Sequence, residues 1–210
     1  MHASSDIRVI KCLDGLHYSF EILSYVYAPM YELCSRLPSD SSQLPRAIWH
    51  CWSFVDVVHR IREVAEALPG LSKKEQPLRA FLSATAVVED FRHYIQHLRS
   101  ELSKKDVNPF PVWGSLSWID PSNELRAHIV VIGARVAKTS YTGPIFDLKE
   151  KRWVSKVCLG VAGKSLNFDP VYEAAMVFRD FVIPWTMSAY APGIRTTTEL
   201  PIMTIEARLG

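Results

Sequence analysis

Paired cysteines are missing from this chain of 210 residues. Cys12, Cys34, Cys51 and Cys158 lie far apart and form no C-x-x-C pair. Neither a zinc knuckle nor a disulfide framework is signalled, so reduced, buried thiols are expected. Long apolar runs are also missing. None reaches the roughly 18 residues that a membrane helix needs, because Pro29, Pro184 or charged groups interrupt each one. No basic segment followed by an apolar core opens the chain, and no N-x-[ST] acceptor occurs. A soluble, cytoplasmic protein with no membrane partner is the expectation. An excess of one charge sign is lacking as well. Lys and Arg number 13 against 13 Asp and Glu through Phe110, and 11 against 9 afterwards. A protein that grips long nucleic acid through its phosphates carries more positive charge than this. Brief contact with one RNA site needs less.

Familiar catalytic signatures are absent too. Gly160 to Ser165 reads Gly-Val-Ala-Gly-Lys-Ser. A phosphate-binding loop needs G-x-x-x-x-G-K-[ST], whose first glycine makes the tight turn that aims backbone N–H groups at phosphate. Cys158 stands in that place, and Leu166 to Phe168 reads as extended where a helix should open. A hairpin turn with a solvated Lys164 is the expectation. His93 and His97 are four apart, but Tyr94 follows His93 where the metalloprotease pattern has Glu, and no third ligand can be nominated. No G-x-S-x-G elbow appears. Neither a metal nor a cofactor is expected.

What the chain does contain is a series of helical patterns followed by shorter runs. Leu13 to Leu37 is apolar nearly all round, as in a helix that is buried or faces a partner, with Pro29 kinking it. Residues 1–12 are ambiguous between a short strand and a lead-in. Pro45 starts a second helix that Pro69-Gly70 stops near Leu68. Within it, Asp56 with Arg60 and His59 with Glu63 have ion-pair spacing. His50 reads as a packed histidine. The clearest pattern runs from Gln76 to Lys105. Phe81, Ala84, Val88, Phe91, Ile95, Leu98 and Leu102 recur at alternating steps of three and four, which predicts one helix with one apolar stripe.

Pro109 and Pro111 mark a boundary, after which the period changes. Short strands are predicted over Trp113–Ile119, Arg126–Ala134, Thr139–Leu148 and Trp153–Val161, the second of them buried on both faces. A long helix follows over 169–187, then a loop and a last strand over Leu200–Leu209. The fold class is therefore α+β. An N-terminal helical bundle (1–110) precedes a mostly antiparallel β-rich part with one further long helix (111–210).

The chemistry-bearing groups gather on the Gln76–Lys105 pattern. Glu89, Arg92, His93 and His97 lie mostly off its apolar stripe, so core packing does not account for them. Arg92, four residues and His97 resemble the R-x4-H signature of HEPN domains, small helical bundles of many toxin and antiviral ribonucleases. His93 fills the place after the Arg where a polar residue is usual. The resemblance covers the N-terminal helical half; ordinary HEPN bundles lack the β-rich remainder. It implies a metal-independent endoribonuclease. His97 would serve as acid or base near neutral pH, Arg92 would hold the phosphate, and His93 or Glu89 would orient them.

Arg92 and His97 sit about 140° apart on their helix. A homodimer that joins the two motifs, as is usual in the family, would ease that separation. The alternative is a non-catalytic binding or regulatory protein. Its six Trp and eight Tyr would then anchor a protein partner, and Arg92 would be held by Glu89 or another acid.

Overall fold

The computed structural model describes residues 3–103, 111–133 and 141–190, with side chains from Ile7 onward. Six helices come first: α1 (Ala3–Tyr27), α2 (Met30–Arg36), α3 (Leu44–Ala67), α4 (Gln76–Ala84), α5 (Ala86–Gln96) and α6 (Leu98–Ser103). Strands β1 (Ser115–Asp120), β2 (Asn123–Val131), β3 (Phe146–Asp147), β4 (Arg152–Trp153), β5 (Val157–Val161) and β6 (Lys164–Asn167) follow, and then helix α7 (Phe168–Tyr190). The α+β class holds. None of the described helices is long and apolar enough to cross a membrane.

Helix α1 begins earlier than expected and takes in the ambiguous segment. It ends before Pro29, which cannot donate to the ladder and separates α1 from α2 instead of kinking a single helix. The Gln76–Lys105 pattern is likewise jointed. Thr85 leaves helical geometry at φ −100°, ψ 6°, and its hydroxyl donates to the Phe81 carbonyl at 2.8 Å. Arg62 of α3 supplies the reason for a stable joint. Its Nη1 donates to the Leu82 carbonyl and to Thr85 Oγ1, both at 2.6 Å. A carbonyl lost from the helix ladder thereby finds a donor. The apolar stripe continues across the joint, with Leu78, Phe81, Val88 and Phe91 all buried, whereas Ala84 and Leu102 of the expected stripe are exposed.

The main sheet has the order β2-β1-β5-β6, antiparallel throughout. Its central strands, β1 and β5, are buried along their whole length. The run expected to be doubly buried, Arg126–Ala134, forms the edge strand β2 instead and is largely exposed. Apolar composition did not distinguish an edge from a centre there. The expected Thr139–Leu148 strand reduces to the two paired residues of β3, with residues 134–140 outside the described ones. Trp153–Val161 divides into β4 and β5.

One sheet face carries Leu116, Trp118, Val157, Leu159 and Leu166, which join the same apolar cluster as the helices. The opposite face carries Ser115, Ser117, Cys158 and Gly160, paired across β1 and β5. Small side chains let residues 141–143 lie close: Ser115 Oγ donates to the Thr142 carbonyl at 2.9 Å. The β5–β6 turn is Ala162-Gly163, with φ of 48° and 80°. Two positive φ values are the signature of a tight hairpin turn, so the phosphate-loop-like run is a hairpin.

Helix α7 runs from Phe168 to Tyr190, close to the expected 169–187, with Pro184 inside it. Phe178 stacks on Phe81 at 4.6 Å, and Phe168 meets Phe54 edge-on at 5.0 Å. Asp169 accepts from the Tyr27 hydroxyl at 2.9 Å and from the Lys156 amide at 2.9 Å. One carboxylate thus fastens α7 to both α1 and the β4–β5 connection. The expected strand over Leu200–Leu209 lies outside the described residues.

Two positions give tests. Gly114 has φ +83°, and a Cβ there would lie 2.2 Å from the Gly160 carbonyl oxygen. Gly114→Ala should lower unfolding free energy by about 2–4 kcal/mol, from backbone strain plus overpacking, read by denaturant titration. His50 is only 5% exposed, and its Nδ1 lies 2.9 Å from the Val26 carbonyl at the end of α1. As a neutral imidazole it donates there and satisfies one of the helix's terminal acceptors. Burial is the main cause that lowers its pKa. The unfolded state therefore takes up a proton first as pH falls through about 6.5. His50 stabilises fully above that pH and less below it. The thermal midpoint should drop from pH 7 toward pH 5, and His50→Gln should flatten that drop.

Candidate functional site

Helix α5 separates the four candidate residues into three settings. Glu89 faces α3. Its Oε1 meets Arg62 Nε at 2.8 Å and His59 Nδ1 at 3.1 Å. His59 was expected to pair along its own helix with Glu63; it reaches across to α5 instead. Arg62 is 15% exposed at its side chain, so Glu89 balances a charge that has largely left water. This is structural work, done at the α4–α5 joint.

Arg92 turns toward α1 and α3. Its Nη1 lies 3.1 Å from Asp56 Oδ1, with the arginine side chain 29% exposed. Asp56 Oδ2 also accepts from Arg60 Nε at 2.8 Å. One carboxylate therefore serves two guanidiniums. Arg92 Nε is buried and finds no hydrogen-bond partner among the described residues, as does the nearby Trp52 Nε1. Each such orphan donor costs on the order of 1–3 kcal/mol.

Trp52 and Arg92 help to line a groove of about 930 Å³ between α1, α3 and α5. Tyr18, Ile22 and Tyr25 form one wall and Trp49 and Trp52 the other. Tyr25 is 72% exposed and Trp49 56%. Trp52 is held in place by Tyr94, stacked at 6.4 Å, and by Trp113, edge-on at 6.4 Å. Four charged groups border the groove: Asp14, Asp56, Arg60 and Arg92. Their signs balance.

His93 and His97 are exposed on another flank, with ring centroids 4.3 Å apart. His93 borders a smaller cleft of about 190 Å³ beside the β5–β6 hairpin. Lys164 there is not simply solvated: its Nζ lies 2.6 Å from Asp90 and ties the hairpin to α5. No ion pair reaches His93 or His97 among the described residues. The groove that holds Arg92 includes neither imidazole. Among the described residues, the groove at Arg92 and the cleft at His93 are lined by different sets of side chains. Among the described residues no group of three metal-ligating side chains forms.

Burial raises the thiol pKa of Cys34 to about 12 and of Cys158 to about 11, and raises that of Cys51 as well. These cysteines are poor nucleophiles near neutral pH.

Sequence reasoning located Arg92 but missed the groove. One available signal was helix α1, apolar nearly all round. Phe20 and Leu23 are buried, whereas Tyr18, Ile22 and Tyr25 are exposed. The other signal, the Asp56–Arg92 contact, lies between residues 36 positions apart, beyond any local pattern. Comparison with family models, with curated proteins and with solved structures gives no match to this chain.

Glu89→Ala should destabilise the protein by about 1–3 kcal/mol, because Arg62 keeps its burial and loses its carboxylate. Chemical denaturation measures it. A stability unchanged within about 0.5 kcal/mol would contradict a structural role for Glu89.

Proposed function

We propose that this protein is a non-catalytic binding protein whose groove between α1, α3 and α5 receives the surface of a protein. The observation that carries this reading is the set of exposed aromatic side chains along one groove, Tyr18, Tyr25 and Trp49. Exposed aromatic rings with an apolar body and a polar tip are the usual anchors of protein interfaces. The balanced charges favour a protein over a nucleic acid, whose phosphates call for surplus cations.

A metal-independent ribonuclease of HEPN type is the second reading. It draws on one observation: His93 and His97 form an exposed pair without acidic partners among the described residues. In that reading Arg92 of one subunit would serve the histidines of another.

Purified protein on mixed RNA with EDTA separates the two. The binding reading expects intact RNA. Cleavage that Arg92→Ala and His97→Ala each reduce by about 100-fold or more would replace it with the nuclease reading. The groove has its own check. Tyr25→Ser and Trp49→Ser should each leave folding stability within about 0.5 kcal/mol of the parent, since rings kept for a partner add little to the fold.

A further inference from the structure

Helix α1 turns a regular row of side chains outward: Ile7, Lys11, Asp14, Tyr18, Glu21 and Tyr25, each exposed. The steps between them are four, three, four, three and four. This is the heptad spacing of a helix seam, and it extends over about 27 Å of helix. The core side of the same helix is separate, since Val9, Leu16, Phe20 and Leu23 are buried. Among the described residues, no segment of the same chain covers the seam.

The geometry points to a second copy of this chain as the occupant, with the two α1 helices antiparallel across a two-fold axis that passes over Leu16. This rests on the reading of the groove as a protein-binding surface. The order of side chains selects the partner. In antiparallel pairing about Leu16, Ile7 faces Tyr25 of the second copy, Lys11 faces Glu21, and Asp14 faces Tyr18. Apolar meets apolar, cation meets anion, and a carboxylate meets a phenol. Parallel pairing would set Lys11 against Lys11, Asp14 against Asp14 and Glu21 against Glu21, which like-charge repulsion disfavours. A slip by one heptad would leave either Glu21 and Tyr25 or Ile7 and Lys11 without counterparts. Two-fold symmetry also uses each pair twice, so one self-complementary seam closes the assembly. Asp14, Tyr18 and Tyr25 border the groove as well, so the second helix would lie along it, with Trp49 at its side.

Sedimentation equilibrium of the full chain over a range of concentrations tests this. The parent should be dimeric. Lys11→Glu and Glu21→Lys each set like charges against one another twice, and each should raise the dimer dissociation constant by about ten-fold or more. Both residues are exposed, and circular dichroism will confirm that the variants fold. An equimolar mixture of the two variants recreates opposite charges at both pairs and should recover a heterodimer close to parental affinity. A parent that remains monomeric, a dimer indifferent to both variants, or a mixture that fails to associate each overturns the proposal. None of these results touches the protein-binding reading itself, which falls instead if RNA cleavage depends on Arg92 and His97.

Discussion

The Arg62 guanidinium is the point on which the helical half turns. It is mostly buried, and it donates to the Leu82 carbonyl and the Thr85 hydroxyl while Glu89 balances its charge. Those contacts convert a weak place in a helical pattern into a fixed joint. They also dock α5 against α3 in one orientation. That orientation brings Arg92 to Asp56 and leaves His93 and His97 on another flank. A joint elsewhere, or a straight helix, would aim the same side chains differently. The Arg62 guanidinium has largely left water, where a missing partner is costly.

The elements legible in the sequence were those with a strong local cause. Helix α3 runs from Leu44 to Ala67, bounded by Pro45 and Pro69-Gly70 as read. The hairpin at Ala162-Gly163 follows from local turn chemistry, and the switch from helices to strands follows from a change of period. What escaped depended on distant residues. The Thr85 joint needs Arg62, 23 positions away. The rank of a strand within the sheet is set by its neighbours, so the apolar run in β2 gave no sign of its edge position. The two-fold duty of Asp56 and the reach of His59 to Glu89 are tertiary facts of the same kind.

The candidate site divides along the same line. The polar cluster on the Gln76–Lys105 pattern was visible because it lay off the apolar stripe. Its partition into a structural carboxylate, a groove arginine and an exposed histidine pair was not, since rotation about the helix axis says nothing of what lies opposite each side chain. The aromatic residues were visible as a count and as a pattern on α1. Only the position of α3 beside them makes a groove. The placement of Arg92 against Asp56 matches the acid-held arginine of the binding alternative, although the acid is Asp56 and not Glu89.

The bond between Tyr27 and Asp169 has a consequence for synthesis. Helix α1 leaves the ribosome well before α7, the helix it meets through that bond. Until residue 190 has emerged, the apolar flank that α1 will turn toward Phe178 has no cover. The nascent chain thus carries greasy surface throughout the synthesis of the segment between α1 and α7. Helper proteins that shield such segments would find their opportunity in that interval.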